Sequence, residues 1–322
     1  MLAGWAAADM PGQQGRTALV TGANSGIGFQ VAVELARHGA VVLMACRDAG
    51  RGAEARAALV RQVPAAAVDL VALDLADLDA VARLARQVAG RADGLDLLVN
   101  NAGVMAVPRR QVTAQGFELQ FGTNHLGHFA LTMRLLPALL QRPGSRVVTV
   151  SSIAHRLGSI RLDDLNSERG YGRWQAYSQS KLANALFTLE LDRRLRAAGA
   201  AAISVGAHPG YTSTGLMHSG PRLGGGGGVI TQVMGLAAPL TGQSAARGAL
   251  PVLRAATDPL AQGGDYYGPR GPGEFRGAPR KVRYTRTARD EHLARELWQA
   301  SEQLAGRLWR ASEALTGLTF PA

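Results

Sequence analysis

The sequence predicts an α/β fold built on a doubly wound parallel sheet with helices on both faces. Between Arg16 and about Val205, short apolar, β-branched runs alternate with longer stretches of helical periodicity. The short runs are apolar throughout, which is typical of strands buried on both faces. Six strands are predicted in this region: Thr17 to Thr21, Ala40 to Cys46, Ala67 to Leu73, Leu95 to Asn100, Arg146 to Ser151 and Ala201 to Gly206.

Helical stretches separate these strands, and strand–helix–strand repeats make consecutive strands parallel. The predicted helices span Gly28 to His38, Gly50 to Gln62, Asp77 to Ala89, Thr123 to Leu140 and Trp174 to Ala198.

The pattern changes after Gly206. Residues 208–242 are rich in Gly, Pro, Ser and Thr, which predicts a glycine-rich flap at about 211–242 that covers a site. No linker separates two self-sufficient halves, so we expect an extension at 1–15 and a single domain at 16–322. The remaining predicted elements are a helix from Gln243 to Thr257, a short strand from Asp265 to Gly268 and a C-terminal helix at about 288–315.

Composition favours a cytoplasmic protein. The single cysteine, Cys46, cannot form an internal disulfide. The N-terminal apolar run is interrupted by Gly4, Asp9 and Pro11, which does not fit a signal peptide or membrane anchor. The long uncharged window from Leu223 to Arg247 is too rich in glycine for a good spanning helix. We therefore expect no membrane anchor.

The formal charge of +11 suggests nucleic acid as a possible partner. The arginines are nevertheless scattered along the chain, without a dense basic run or interleaved aromatic residues. This distribution is typical of solvated helix faces, so we expect no nucleic-acid function.

A glycine-rich loop, TGANSGIG from Thr21 to Gly28, follows the first strand and opens a helix. Glycines at this position let the backbone turn tightly and approach a pyrophosphate at the helix N-terminus. On the first turn of a parallel sheet, the loop predicts a dinucleotide-binding Rossmann fold. The cofactor contacts predicted here are Gly22, Asn24, Ser25, Gly26, Ile27 and Gly28.

The end of the second predicted strand bears on the choice of cofactor. An acidic residue at this position reads the ribose of NAD, whereas a basic residue accommodates the 2′-phosphate of NADP. Arg47 follows Cys46 directly, which favours NADP(H) over NAD(H), while Asp48 is expected to cap the next helix. At the end of the third strand, Asp74 with Leu75 is predicted to meet the adenine.

The segment GRWQAYSQSKLANALF, Gly172 to Phe187, contains one of only two lysines in the chain. Tyr177 and Lys181 are four residues apart, so they project from the same face of a helix. A nearby ammonium lowers the pKa of a phenol and makes it a usable acid or base. An arginine fork is larger and directs its donors differently, so we expect arginine to be a poor substitute.

These segments together resemble the short-chain dehydrogenase/reductase family over roughly residues 16–215. Each motif alone is weak evidence, but their order along the chain is specific. The matching motifs are TGANSGIG, NNAG at Asn100 to Gly103, Asn124 in TNHLGH, VSS at Val150 to Ser152, YSQSK at Tyr177 to Lys181 and HPG at His208 to Gly210.

The resemblance implies catalytic roles for four residues. Tyr177 would be the general acid/base, and Lys181 would hold the nicotinamide ribose and lower the Tyr177 pKa. Ser152, rather than Ser151, would bond the substrate oxygen, and Asn124 would support a water relay behind the lysine. The implied cofactor contacts also include Tyr177 and Lys181, Asn101, Ala102 and Gly103 along the backbone, and Pro209, Gly210, Thr212 and Thr214 near the carboxamide.

The segments SSIAH and NHLGHF, with a long interval between Ser152 and Tyr177, look like the retinol-dehydrogenase-like branch of that family. We take the branch, and not a retinoid substrate, from this resemblance. Apolar residues on the flap, Leu216, Met217 and Val229 to Leu236, favour a small lipophilic substrate.

Several nearby side chains have two interpretations. His155 could contact substrate or hold a loop, and Tyr171 and Trp174 could line the pocket or only pack. His125 and His128 are expected to be packing residues, and no metal site is expected. The nearly continuous apolar run after Lys181, LANALF with Leu189, indicates a helix buried on two faces, which favours a homodimer.

The sequence therefore predicts an NADP(H)-dependent oxidoreductase that interconverts an alcohol with a ketone or aldehyde. One alternative is reduction of a carbon–carbon double bond on the same scaffold, as in the related protochlorophyllide reductases. Another is a non-catalytic protein that senses NADP, although such a protein would not need all four catalytic residues.

Overall fold

The computed structural model describes residues 4–92, 94–212 and 243–306, and it confirms the predicted α/β sheet. Over these residues a single eight-stranded sheet has the order β3-β2-β1-β4-β5-β6-β7-β8, and every neighbouring pair is parallel except β7 and β8. The strands are β1 Thr17–Thr21, β2 Val41–Cys46, β3 Val68–Ala72, β4 Leu97–Asn100, β5 Arg146–Val150, β6 Ile203–Ala207, β7 Tyr266–Pro269 and β8 Pro279–Lys281.

Helices follow the predicted alternation, with ends that differ by a few residues. The α-helices are α1 Gly26–Arg37, α2 Ala49–Gln62, α3 Leu78–Ala89, α4 Leu119–Phe121, α5 Gly127–Leu140, α6 Arg173–Ala197, α7 Ala245–Thr257 and α8 Glu291–Ala305. Short 3₁₀ turns lie at Ala7–Asp9, Ile153–Leu157, Leu162–Asp164, Pro272–Glu274 and Thr287–Arg289.

Alternating side chains of the sheet enter two cores. Leu19 and Leu43 pack on one face with α3, α5, α6 and α8, whereas Val20 and Met44 pack on the other with α1, α2 and α7. Helices on both faces explain why the central strands are apolar throughout. The outer strand β3 departs from that pattern, because Asp69 is exposed and pairs with Arg91.

The strand order reverses between β1 and β4, which lie side by side in the middle of the sheet. Ligands of open parallel sheets bind at the carboxyl ends of the strands beside such a reversal. The loops after β1, β4 and β5 therefore meet at one edge of the sheet, and α6 runs beside them.

A π-helical turn, Gly122–Leu126, lies between α4 and α5 and occupies the start of the helix predicted from Thr123 to Leu140. The Gly127 N–H donates to the Gly122 carbonyl, five residues back. Glu118 caps the start of α4, because its carboxylate accepts from the backbone N–H groups of Gln120 and Phe121. The predicted start was therefore four residues late.

Helix α6 is buried on two faces, as the sequence indicated, but the second face is covered within the chain. Trp298 of α8 stacks on Phe187 with ring centroids 5.8 Å apart, and the Arg194 guanidinium lies 4.5 Å from the Trp298 ring. The apolar pattern of α6 that favoured a homodimer is thus explained by α8.

Strand β8 was not predicted, since three residues that begin with Pro279 carry no periodic signal. Most of the predicted flap, including Leu216, Met217 and Val229 to Leu236, lies outside the described residues, as does residue 307 onward in the predicted C-terminal helix. No helix among the described residues combines the length and apolarity needed to cross a membrane.

The Glu190 carboxylate, 1% exposed, holds α6 together at the α8 contact through ion pairs with Arg193 and Arg194. Because Arg194 is itself 3% exposed, we expect Glu190→Ala to remove the buried counter-charge of its guanidinium. The free energy of unfolding, measured by urea denaturation, should fall by about 3 kcal/mol. Glu54→Ala, at an exposed site on α2, is the control and should change it by less than about 0.5 kcal/mol. Equal losses in the two variants would contradict this account.

Candidate active site

The glycines between β1 and α1 are required by backbone conformation or by a lack of space. Gly22 and Gly26 have φ angles of +68° and +56°, which L side chains rarely adopt. A Cβ at Gly28 would lie 2.5 Å from the Gly22 carbonyl oxygen and 2.4 Å from Asn101 Nδ2. The backbone therefore forms a tight cradle at the N-terminus of α1, which fits a dinucleotide pyrophosphate.

The other loop residues fit this cradle. Ser25 is the N-cap residue of α1, but its side chain makes no capping hydrogen bond, and it is exposed. Asn24 is half-buried beside it, and Ile27 packs against the core beneath α1. The first N–H groups of α1 are thus not capped by the Ser25 hydroxyl.

Arg47 lies directly after β2 and is exposed, whereas Ala45 and Cys46 before it are buried. The Asp48 carboxylate accepts from the backbone N–H of Arg51 and pairs with its guanidinium at 3.1 Å, so Asp48 caps α2 as expected. These interactions lower the Asp48 pKa. Arg47 is thus exposed at this strand end, beside an aspartate whose carboxylate is engaged with Arg51.

The end of β3 places Asp74 and Leu75 differently from each other. The Asp74 carboxylate is half-buried and accepts from the Ala76 N–H at 2.9 Å, while Asp77 caps α3 as expected. Leu75 is buried, and its carbonyl oxygen lies against Gly127 of α5. A Cβ added at Gly127 would lie 2.4 Å from that oxygen. Leu75 therefore packs against the start of α5.

The segment after β4 is held by Thr21, which sequence reasoning did not single out. The Thr21 hydroxyl accepts from the backbone N–H groups of Asn101 and Ala102, both at 2.9 Å, and Asn101 Nδ2 donates to the Thr21 carbonyl at 2.8 Å. Its position immediately before Gly22 was the available signal. Gly103 has no room for a side chain either, since a Cβ there would lie 2.9 Å from Asn124 Oδ1.

Tyr177 and Ser152 meet at the carboxyl end of β5. Tyr177 is 6% exposed; burial raises the pKa of its phenol, and the Ser152 side chain lowers it. Ser152 begins the 3₁₀ turn Ile153–Leu157, and its hydroxyl accepts from the Ala154 N–H. The neighbouring Ser151 instead donates to the Lys181 carbonyl at 2.7 Å. Of the two serines, Ser152 is the one beside the phenol.

The Lys181 ammonium is buried one helical turn beyond Tyr177. It donates to the Val150 carbonyl at 3.1 Å and lies 5.9 Å from the centre of the Tyr177 ring. Burial lowers the Lys181 pKa to about 8. Burial also raises the Tyr177 pKa, and the Ser152 side chain opposes that rise. The sequence had instead predicted that Lys181 would lower the Tyr177 pKa.

Asn124 lies in the π-helical turn and is fully buried. Its side-chain oxygen accepts from the Val104 N–H at 2.8 Å, and its Nδ2 donates to the Val104 carbonyl and the Ser180 hydroxyl, both at 2.9 Å. Ser180 in turn donates to the Tyr177 carbonyl at 2.8 Å. The amide therefore joins the segment after β4 to the turn of α6 that carries Tyr177 and Lys181.

The structure also bears on the residues with two interpretations. His155 is 1% exposed and its Nδ1 lies 2.6 Å from the Ser152 carbonyl, so it holds this loop. The Tyr171 hydroxyl donates to the Val107 carbonyl at 2.6 Å, and burial raises its pKa to about 12. Trp174 is half-buried and meets the Tyr177 ring edge to face, 6.3 Å between centroids.

The segment after β6 holds the residues expected near the carboxamide. Pro209 and Gly210 are half-buried, and Gly210 has a φ of +69°. The Thr212 hydroxyl is turned back onto the Pro209 carbonyl at 3.0 Å. Thr214 lies outside the described residues.

A charged cluster behind this segment was missed. His208 Nε2 lies 2.8 Å from the Glu274 carboxylate, which also pairs with Arg156, and His208 Nδ1 accepts from the Gly210 N–H. The cluster joins the loops after β5, β6 and β7. Because Glu274 is 66 residues from His208, no local pattern could have indicated it.

Comparisons with known proteins identify the family of this chain. A family model described as short chain dehydrogenase matches residues 16–222. Human retinol dehydrogenase 14 is 38% identical over 303 residues, covering 89% of this chain and 85% of that protein. Mouse polyprenol dehydrogenase is 40% identical over 295 residues, covering 90% and 83% respectively.

Solved structures share the fold. An uncharacterized protein from Mycobacterium paratuberculosis is 44% identical, with a TM-score of 0.78 and coverage of 99% of this chain and 100% of that one. A Beutenbergia cavernae protein described as an NAD(P) dependent gluconate 5-dehydrogenase with bound NADP is 26% identical, with a TM-score of 0.61 over 79% of this chain and 95% of that one. With the family match, these likenesses show that the chain belongs to the short-chain dehydrogenase family of oxidoreductases, in its retinol-dehydrogenase-like branch.

Proposed function

We propose that the protein is an NADP(H)-dependent oxidoreductase that interconverts an alcohol with a ketone or aldehyde on a small lipophilic substrate. The observation that carries this proposal is the grouping of the Tyr177 phenol, the Ser152 hydroxyl and the buried Lys181 ammonium, which lies close to Gly103 in the segment after β4. A phenol with a serine donor and a cation nearby can deliver or remove a proton at a substrate oxygen.

Three side chains, Ser152, Tyr177 and Lys181, would have different roles at the substrate oxygen. The bound dinucleotide would supply or accept the hydride. Ser152 would donate a hydrogen bond to the oxygen and steady its charge, and Tyr177 would give it a proton in reduction or take one in oxidation. Because burial raises the Tyr177 pKa, a nearby positive charge is needed for the phenolate, and Lys181 is the buried cation one turn away.

The remaining predicted residues would bind the dinucleotide. The backbone at Gly22, Gly26 and Gly28 would hold the pyrophosphate at the N-terminus of α1. Asp74 would meet the adenine, and the segments containing Ala102 and Pro209 would border the nicotinamide. Asn124 would support a water relay behind Lys181, and its amide bonds Ser180 on the same turn of α6.

The preference for NADP(H) is supported by the exposed Arg47 and by Asp48, whose carboxylate already caps α2. One solved relative is described with bound NADP. A lipophilic substrate is supported by relatives named for retinol and polyprenol, which are both apolar alcohols. We also propose a cytoplasmic location, for which the supporting observation is the composition.

Tyr177→Phe removes the hydroxyl that would transfer the proton. With a carbonyl substrate found by NADPH absorbance, we expect kcat to fall at least about a hundredfold while NADPH still binds. Tyr171→Phe is the matched control, because its hydroxyl is bonded to the Val107 carbonyl, and it should retain most of the activity. Full turnover by Tyr177→Phe would exclude the proposed mechanism. NADPH binding with no turnover of any carbonyl or alcohol would favour a sensor.

Arg47→Gln removes the cation expected at the 2′-phosphate. We expect the Kd for NADPH to rise about tenfold, because a charge-assisted contact is lost, while the Kd for NADH stays nearly constant. Titration of protein fluorescence with each dinucleotide measures both values. Arg61→Gln, at the exposed far end of α2, should change neither. If wild-type protein binds NADPH and NADH equally well, the role assigned to Arg47 is wrong.

A further inference from the structure

His128, on the first turn of α5, makes hydrogen bonds from both ring nitrogens. Nδ1 lies 3.0 Å from the Asn124 backbone carbonyl, and Nε2 lies 2.9 Å from the Thr21 hydroxyl. The ring is 1% exposed. It therefore lies between the π-helical turn that carries Asn124 and the strand end that begins the glycine loop.

The hydrogen-bond partners determine where the ring proton lies. The Asn124 carbonyl can only accept, so Nδ1 carries a hydrogen. The Thr21 hydroxyl already accepts from the N–H groups of Asn101 and Ala102, which occupy its two lone pairs. Its own hydrogen is then directed to His128 Nε2 at 2.9 Å, a shorter contact than the 3.3 Å to the Val99 carbonyl.

A directed chain of hydrogen bonds results. It runs from the backbone N–H groups of Asn101 and Ala102 to Thr21, from Thr21 to His128, and from His128 to the Asn124 carbonyl. A doubly protonated ring would break this chain, because Nε2–H would face a hydroxyl with no free lone pair. Burial lowers the His128 pKa to about 3, in agreement with a neutral ring.

We propose that His128 is a positioning residue whose neutral ring, protonated on Nδ1, fixes the Asn124 turn relative to the cofactor-binding segment at Asn101 and Ala102. This inference rests on the proposed function, because it gives these two segments their roles. Asn124 also holds the Val104 backbone and, through Ser180, the turn of Tyr177. Loss of the His128 bonds would therefore loosen both the dinucleotide site and the catalytic turn.

Simple core packing would make a different prediction, and His125 provides the comparison. It is 2% exposed in the π-helical turn that also carries Asn124. Its Nε2 bonds the Ser301 hydroxyl of α8, and its ring packs against Phe121, Phe129 and Phe187. Replacement of either histidine should reduce stability. Only replacement of His128 should alter dinucleotide binding.

The test compares His128→Leu with His125→Leu in the full chain, at a temperature where circular dichroism shows both folded. We expect the Kd for NADPH to rise about tenfold and kcat to fall in His128→Leu. The Kd should stay within about twofold of wild type in His125→Leu. His128→Asn and His128→Gln can each replace only one of the two ring hydrogen bonds, so both should bind NADPH more weakly than wild type. If His128→Leu does not fold, the NADPH affinities of these two variants test the proposal.

Nitrogen NMR of labelled histidine gives a second readout that needs no activity. The signals absent from His128→Gln identify the ring, and we expect it to be neutral with its hydrogen on Nδ1 at pH 6. A cationic ring or a hydrogen on Nε2 would overturn the inference. So would wild-type NADPH affinity in the His128 variants. Those outcomes leave the proposed function intact, whereas wild-type protein that binds no dinucleotide would contradict both.

Discussion

The burial of the Lys181 ammonium is the constraint on which the arrangement of the site depends. A buried ammonium is unfavourable without a hydrogen-bond partner, and the Val150 carbonyl at the end of β5 accepts from it. That bond ties α6 to the sheet edge, and Asn184 Nδ2 donates to the same carbonyl at 3.2 Å. With Lys181 fixed there, helical spacing brings Tyr177 beside Ser152 at the same edge. The chain has only two lysines, Lys181 and Lys281, among many arginines. One of the two thus stands where a compact buried cation is required.

The sheet supplies the second constraint, because its strand order decides which loops meet. With β1 and β4 adjacent, the glycine loop and the Asn101 segment share Thr21, and no side chain fits at Gly28 between them. The neighbouring β5 brings Ser152 to the same edge, and the π-helical turn brings Asn124 against Val104. Cofactor-binding and catalytic groups therefore depend on one another through short hydrogen bonds, and a change at one strand end is transmitted to the next.

Local spacing explains how much of this was predictable from the sequence. The parallel strands β1 to β6, the glycine loop and the pair Tyr177 and Lys181 are each encoded within a few residues. Three features depend on residues that are distant in sequence, so no periodic pattern predicts them. They are the π-helical turn, β8 and the contact of Glu274 with His208. The apolar face of α6 was recognised, but only the structure shows that α8 covers it. The sequence predicted a lowered Tyr177 pKa, whereas burial raises it. The difference arises because the sequence does not show how far the phenol is removed from water.

The most direct test of this account follows the two lysines by NMR. A sample with isotopically labelled lysine gives two side-chain signals, and Lys281→Arg identifies the one that belongs to Lys181. The account predicts that Lys181 titrates near pH 8 in the protein alone and that its signal shifts when NADPH is added. Titration near the ordinary lysine value of 10.5, with a signal that saturating NADPH leaves unchanged, would contradict a buried ammonium at the centre of a dinucleotide-dependent active site.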